Sequence, residues 1–238
     1  FYGTIQSALF TLLAVYATSM NFTILEISIV TFLLAVSGAI AQFPIGKISD
    51  MYDRRKVIVC STFGAAIFSI FAILVSRQMY LPGSLATSKT WFYIFFILFS
   101  FCSLPMFSLI LAHTNDYISK DKFVAAGAGL QFAFGLGAMS GPFLCSIFMD
   151  LVGSNGFFVF LFFFHCIIGF FGIYRMKVRQ SVDNPDSQFV AMPQTITPAG
   201  IELNPTTEHI EEPYSDKVKE ILERKGVKYK KDEDEMKA

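Results

Sequence analysis

The chain has 238 residues, of which 53% are hydrophobic, 16% aromatic and 16% charged, with a mean hydropathy of +0.52. Water-soluble domains carry about 25% charged residues, so this balance argues against a soluble enzyme and against a nucleic-acid-binding module. The formal charge of zero averages two unlike parts: residues 1–174 hold 8 of the 19 Lys and Arg and 6 of the 19 Asp and Glu, and the last 64 residues hold the other 11 and 13.

A bilayer core of about 30 Å takes roughly 20 helical residues at about 1.5 Å each. Read with that ruler, the body divides into six apolar spans, at about 1–20, 24–47, 56–76, 91–113, 123–149 and 156–174. Backbone polar groups in lipid must be satisfied within the segment, so runs of this length predict helices. The first span begins directly at Phe1 with no basic leader, which reads as the cut edge of a longer protein. Thr23 and Glu26 supply a T-x-x-E capping box for the second. Pro82-Gly83 and Gly153-Ser154-Asn155-Gly156 mark turns before the fourth and sixth. The sixth carries eight Phe between 157 and 171 and reads as a lipid-exposed helix, with His165 a structural or interfacial residue within it.

The loops orient the bundle. One side carries Lys47, Arg54, Arg55, Lys56, Lys120, Lys122, Arg175, Lys177 and Arg179, and the other only Arg77 and Lys89. Cytoplasmic loops collect Lys and Arg, which puts the richer side, and with it the C-terminus, in the cytoplasm. Residues 177–238 read as a cytoplasmic tail, mostly disordered for want of apolar positions, with a short amphipathic helix at 215–225. Cys60, Cys102, Cys145 and Cys166 lie in apolar runs with no CxxC and no histidine at metal-ligand spacing. They read as small buried hydrophobes, and no metal site or cofactor is expected.

Chemistry concentrates at the exit of the second span, Gly46-Lys-Ile-Ser-Asp50-Met-Tyr-Asp53-Arg54-Arg55-Lys56. Gly46 permits close helix approach, and Asp50 falls one turn later. There it can accept from a neighbouring helix N-terminus or pair with Arg54. In the fifth span Ala125, Gly129, Ala133, Gly137 and Gly141 follow one i+4 row, with Pro142 next. Four such steps make a ridge of about 24 Å without side chains, suited to close helix packing. Polar residues inside the spans are few. Tyr2 and Gln6 share a face of the first, while Gln42 and Gln131 stand alone in theirs. Such groups point into the bundle or a wet path. His113, Asn115 and Asp116 close the fourth span as a polar cluster, readable as a helix end, a gate or a proton site. No paired catalytic groups lie at depth, so catalytic residues are not expected.

At these residues the chain resembles the major facilitator superfamily. Gly46, Asp50, Arg54 and Arg55 match the motif G-x-x-x-D-[RK]-x-G-R-[RK] found between the second and third helices of each six-helix half. Met51 stands where Arg or Lys is usual, and Asp53 where Gly is usual. Gly137-x-x-x-Gly141-Pro142 is similar to the small-residue, Gly-Pro pattern of the fifth helix of such halves. Phe1-Tyr-Gly-Thr-Ile and Gln42 to Asp50 look most like the carboxy-terminal half, helices seven to twelve, of uncharacterised bacterial transporters of the YcaD type.

The resemblance implies an all-α membrane bundle of six helices, one half of a twelve-helix secondary transporter in the plasma membrane. It would carry a small solute by alternating access. The first, second, fourth and fifth helices of a half would line the path and the third and sixth pack outside. Tyr2, Gln6, Gln42 and Gln131 become the candidate cavity-lining residues, and Gly46, Asp50, Arg54 and Arg55 the conformational motif. Gly129, Gly137, Gly141 and Pro142 become the helix-packing ridge. The implied partners are a small-molecule substrate, the lipid bilayer and a missing N-terminal six-helix half, with no nucleic acid. The competing reading is a non-transporting six-span scaffold that acts through its tail.

Overall fold

A computed structural model describes residues 1–79, 85–118 and 122–178. The stretch from 179 onward, with the helix expected at 215–225, and the Pro82-Gly83 turn lie outside the described residues. The described chain forms seven α-helices and no strand: α1 (Tyr2–Ser19), α2 (Ile24–Met51), α3 (Arg54–Gln78), α4 (Leu85–Ser103), α5 (Met106–Asn115), α6 (Phe123–Val152) and α7 (Gly156–Val178). Five stretches are long and apolar enough to cross a membrane: α2, α3, the run Thr87–Asn115 through α4 and α5, α6 and α7. The remaining helix, α1, has 18 residues, about 27 Å, and its Tyr2, Thr4, Gln6 and Ser7 dilute its apolar character. Hydroxyls inside the helices turn back on their own backbone, as Thr31 Oγ1 does to Ile27 O at 3.0 Å and Ser69 Oγ to Ala65 O at 2.9 Å. That keeps them satisfied where no water reaches.

The capping box forms as its spacing predicts. Thr23 Oγ1 accepts from the Glu26 amide at 3.3 Å, and the Glu26 carboxylate accepts from the Thr23 amide at 2.7 Å. Glu26 then does a second job. Its other oxygen takes Lys89 Nζ at 2.7 Å, and that ammonium lies 4.9 Å from the centre of the Phe22 ring. One carboxylate thereby starts α2 and ties it to α4.

The fourth span is not the single helix read from its apolar run. It breaks at Leu104-Pro105, between α4 and α5. Pro105 has no amide hydrogen to continue the ladder, and the break is held from several sides. Tyr2 Oη of α1 donates to the Ser103 and Leu104 carbonyls at 3.1 and 3.2 Å. Ser103 Oγ meets His165 Nε2 of α7 at 3.0 Å, and Thr62 Oγ1 of α3 reaches Met106 Sδ at 3.6 Å. Gly38 of α2 sits against Leu104 so closely that a Cβ would overlap its side chain. By contrast Pro44 and Pro142 both lie inside unbroken helices.

The Phe-rich α7 corrects its sequence reading. Its phenylalanines divide between two faces: Phe157, Phe158, Phe160 and Phe164 are buried, while Phe163, Phe170 and Phe171 are exposed. The buried set stacks with α1 and α4, with Tyr16 5.1 Å from both Phe157 and Phe158 between ring centres and Phe92 5.8 Å from Phe158. His165 belongs to this core and is fully buried. The cysteines also divide. All are free thiols, with Cys145 buried, Cys102 and Cys166 half-buried, and Cys60 on the exposed surface.

α1 and α6 run side by side in a register set by small residues. A Cβ on Gly3 would strike the Phe134 carbonyl. One on Gly137 would come within 3.0 Å of the Thr4 amide, and one on Gly141 would overlap Ser7 Oγ and the Thr4 carbonyl. The i+4 row is therefore a ridge along only part of its length. Gly129 meets nothing within 4 Å among the described residues, and Ala125 and Ala133 are exposed. The contrast yields a prediction. Gly141→Leu forces α1 and α6 apart and lowers stability by about 1–3 kcal/mol or more, whereas Gly129→Leu changes it little. Melting of the two variants in detergent measures the difference.

Candidate functional site

Three helices converge where α2 ends and α3 begins. The α2 ladder runs to Met51, Tyr52 is extended, and Asp53 caps α3 by accepting from the Arg55 amide at 3.0 Å. The same carboxylate grips the Arg55 side chain through Nε at 3.1 Å and Nη2 at 2.9 Å. That guanidinium holds the Asp53 carboxyl below its ordinary pKa. The residue that stands in the usual Gly place thus starts the next helix and fixes Arg55 as well.

Arg54 turns the other way, inward. It is 7% exposed, and its guanidinium is shared among three helices. Nη2 donates to Asp50 Oδ1 of α2 at 2.8 Å, and Nη1 donates both to Asp116 Oδ1 at 2.7 Å and to the Ala112 carbonyl of α5 at 3.1 Å. Asp116 is the C-cap of α5, so it brings its negative charge close to helix-end carbonyls that already repel it. Arg54 offsets both. Only a planar fork with several donors reaches such a set at once; an ammonium is a point charge. Gly46 is buried one turn before Asp50, and its carbonyl accepts from Ser49 Oγ at 2.7 Å.

Asp50 and Arg54 pair as their i+4 spacing allows. Asp116 and the Ala112 carbonyl join them from 62 and 58 residues away in sequence, and no local pattern in the chain announces that contact. The polar cluster read at the end of the fourth span held the signal without its partner. The second buried polar set, at the α4–α5 break, also escaped the sequence. His165 Nδ1 lies 2.7 Å from the Leu161 carbonyl. A carbonyl can only accept, so Nδ1 carries the proton and Nε2 accepts from Ser103 Oγ.

The residues read as cavity-lining separate. Tyr2 and Gln6 are 7% and 2% exposed and point into this bundle. Tyr2 serves the helix break, and neither polar atom of Gln6 has a hydrogen-bond partner among the described residues. Gln42 and Gln131 are half-buried. The α1–α6 register places Gln131 one turn to the Asp50 side of Phe134, the neighbour of Gly3. It places Gln6 one turn to the opposite side of Gly3, so the two amides stand at different depths.

The major facilitator superfamily model matches residues 1–218. An uncharacterized MFS-type transporter of Yersinia enterocolitica is 26% identical over 190 residues, covering 80% of this chain and 44% of that protein. One of Methanocaldococcus jannaschii is 26% identical over 183 residues, covering 74% and 42%. One of Bacillus subtilis is 26% identical over 165 residues, covering 67% and 38%. The chain spans less than half the length of these relatives, whose names give the superfamily and not the YcaD-type group. No solved structure matches the chain. With five apolar helical stretches of membrane length among the described residues and this family match, the chain is a multi-pass integral membrane protein that belongs to the major facilitator superfamily.

Proposed function

We propose that the chain forms the carboxy-terminal half of a secondary transporter that moves a small solute by alternating access. The Asp50–Arg54–Asp116 cluster is its conformational latch. The observation that carries this reading is the position of Arg54, whose guanidinium joins α2, α3 and α5 at one end of the bundle. A helix shift that closes or opens that end has to make or break these bonds. Breaking them all at once leaves a charge in poorly hydrated surroundings, so two discrete arrangements are favoured over a continuum. The Lys and Arg bias of the loops supports an orientation with the latch end and the C-terminus on the cytoplasmic side, and the plasma membrane is the membrane this reading proposes. The other wall of the path comes from an N-terminal six-helix half, in keeping with relatives more than twice as long as the matched region.

Gln42 and Gln131, half-buried on α2 and α6, suit the path better than the inward-facing Tyr2 and Gln6. Within the spans of this half, Glu26 and Lys89 neutralise each other at the end opposite the latch. This wall therefore presents hydrogen-bonding amides in preference to fixed charge, which fits a neutral polar solute. The scaffold reading gains no support from any feature of the bundle.

Two outcomes test the proposal. Asp50→Asn leaves Arg54 its α5 acceptors but frees α2, so uptake of the transported solute falls while expression and membrane insertion hold; unchanged uptake removes the latch. A topology reporter fused after Lys177 reads as cytoplasmic, and an external reading reverses the orientation.

A further inference from the structure

Two glycines set the register between α3 and α7. A Cβ on Gly169 would come within 2.8 Å of the Phe63 ring, and one on Gly172 within 2.7 Å of Val59 Cγ2. As α7 advances three residues, α3 steps back four, so the helices run antiparallel. Phe63 also meets the Phe170 ring edge-on, with centres 5.4 Å apart. From that pair each helix runs seven residues, about 10.5 Å, to a lysine. Phe63, Val59 and Lys56 follow one edge of α3, and Phe170, Ile173 and Lys177 follow one edge of α7. Seven residues return nearly to the same side of a helix. The two lysines therefore head adjacent rows at one level, in the first turn of α3 and the last turn of α7.

The apolar members of the α7 row are open: Phe170 is 64% exposed and Ile173 36%. In a protein that spans a bilayer, side chains exposed along a helix meet acyl chains. Lys56 and Lys177 are exposed as well, and neither enters an ion pair among the described residues. The carboxylates nearby in sequence are engaged by guanidiniums, Asp50 by Arg54 and Asp53 by Arg55. Asp53 also feels the charge of Lys56, but its hydrogen bonds go to Arg55. Two ammoniums without a carboxylate partner thus stand where an apolar seam reaches the membrane surface.

We propose that this seam binds an anionic phospholipid, with its phosphate between Lys56 and Lys177 and an acyl chain along Val59, Phe63, Phe170 and Ile173. The phosphate supplies the acceptors that the protein does not, and the chain covers apolar side chains that have no cover of their own. A zwitterionic headgroup brings its own cation to the same place and loses that advantage. Scattered cations at a membrane surface attract any anionic lipid; this pair differs in sharing one level at the head of two apolar rows. The inference stands on the α3–α7 contact and on the membrane setting, and does not depend on the latch.

Native mass spectrometry of the detergent-purified protein tests the site, by titration with phosphatidylglycerol or with phosphatidylcholine of the same chains. The protein is expected to retain phosphatidylglycerol in preference to phosphatidylcholine. Each ammonium close to an anionic lipid contributes about fivefold in affinity. The double variant Lys56→Gln, Lys177→Gln is therefore predicted to need roughly tenfold more phosphatidylglycerol, or beyond, for half-occupancy. Lys47→Gln with Lys122→Gln removes the same charge from exposed positions at the ends of other helices, and is predicted to keep the wild-type preference. Glycerol phosphate, the headgroup without its chains, is predicted not to displace the bound lipid. Equal retention of the two lipids by the wild type overturns the proposal. So does an equal loss in both double variants, which would mean diffuse surface charge. Displacement by glycerol phosphate would overturn it too, by showing a phosphate site to which the apolar rows add nothing.

Discussion

A guanidinium sealed inside a membrane protein must find its counter-charges within the protein, and Arg54 finds them on three helices at once. Removing such a charge from water without partners costs several kcal/mol. The positions of Asp50, Asp116 and the Ala112 carbonyl are therefore mutually dependent. Displacing the end of any one helix leaves the others with an unmet group. The α2–α3 link is short because α2 ends at Met51 and Asp53, two residues on, already caps α3. That shortness delivers Arg54 to the interior while Arg55 is held back toward the link.

The same rule governs the rest of the bundle. Where α4 gives way to α5, Pro105 interrupts the ladder, and Tyr2 and His165 come in from other helices to serve the exposed polar groups. At the opposite end Glu26 and Lys89 neutralise one another across α2 and α4. Between these polar points the packing is aromatic or made of small residues. The aromatic part, Tyr16 with Phe92, Phe157 and Phe158, interlocks α1, α4 and α7. The small-residue part lets the backbones of α1 and α6 approach closely at Gly3, Gly137 and Gly141.

Much of this is legible in the chain because lipid narrows the choices. Apolar length located the helices, T-x-x-E located the start of α2, and the i+4 spacing of Asp50 and Arg54 located their pair. What escaped depends on tertiary neighbours. Phe157 and Phe163 are the same residue type in one helix, yet one is buried and the other exposed; in a helix apolar on all sides, composition carries no phase. Gly129 and Gly137 share a row, and only the partner helix decides which is a contact. Asp116 and Arg54 are separated by 62 residues, beyond any local spacing rule. Tyr2 and Gln6, read as path residues because polar groups in membranes point inward, are both buried within this half. Pro105 breaks its run while Pro44 and Pro142 lie inside unbroken helices, so a proline alone does not tell a break from a tolerated interruption.

The account stands on the shape of the Arg54 side chain as much as on its charge, and the most direct test separates the two. Thermal unfolding of the detergent-purified protein is compared for wild type, Arg54→Lys and Arg54→Gln. Because an ammonium cannot span acceptors on both α2 and α5 as the planar fork does, the lysine variant is predicted to lose most of what the glutamine variant loses. The scale is that of one or two charge-assisted hydrogen bonds, about 1.5–3 kcal/mol. Wild-type melting for Arg54→Lys alongside a destabilised Arg54→Gln would show that charge alone suffices, and would contradict the three-helix fork.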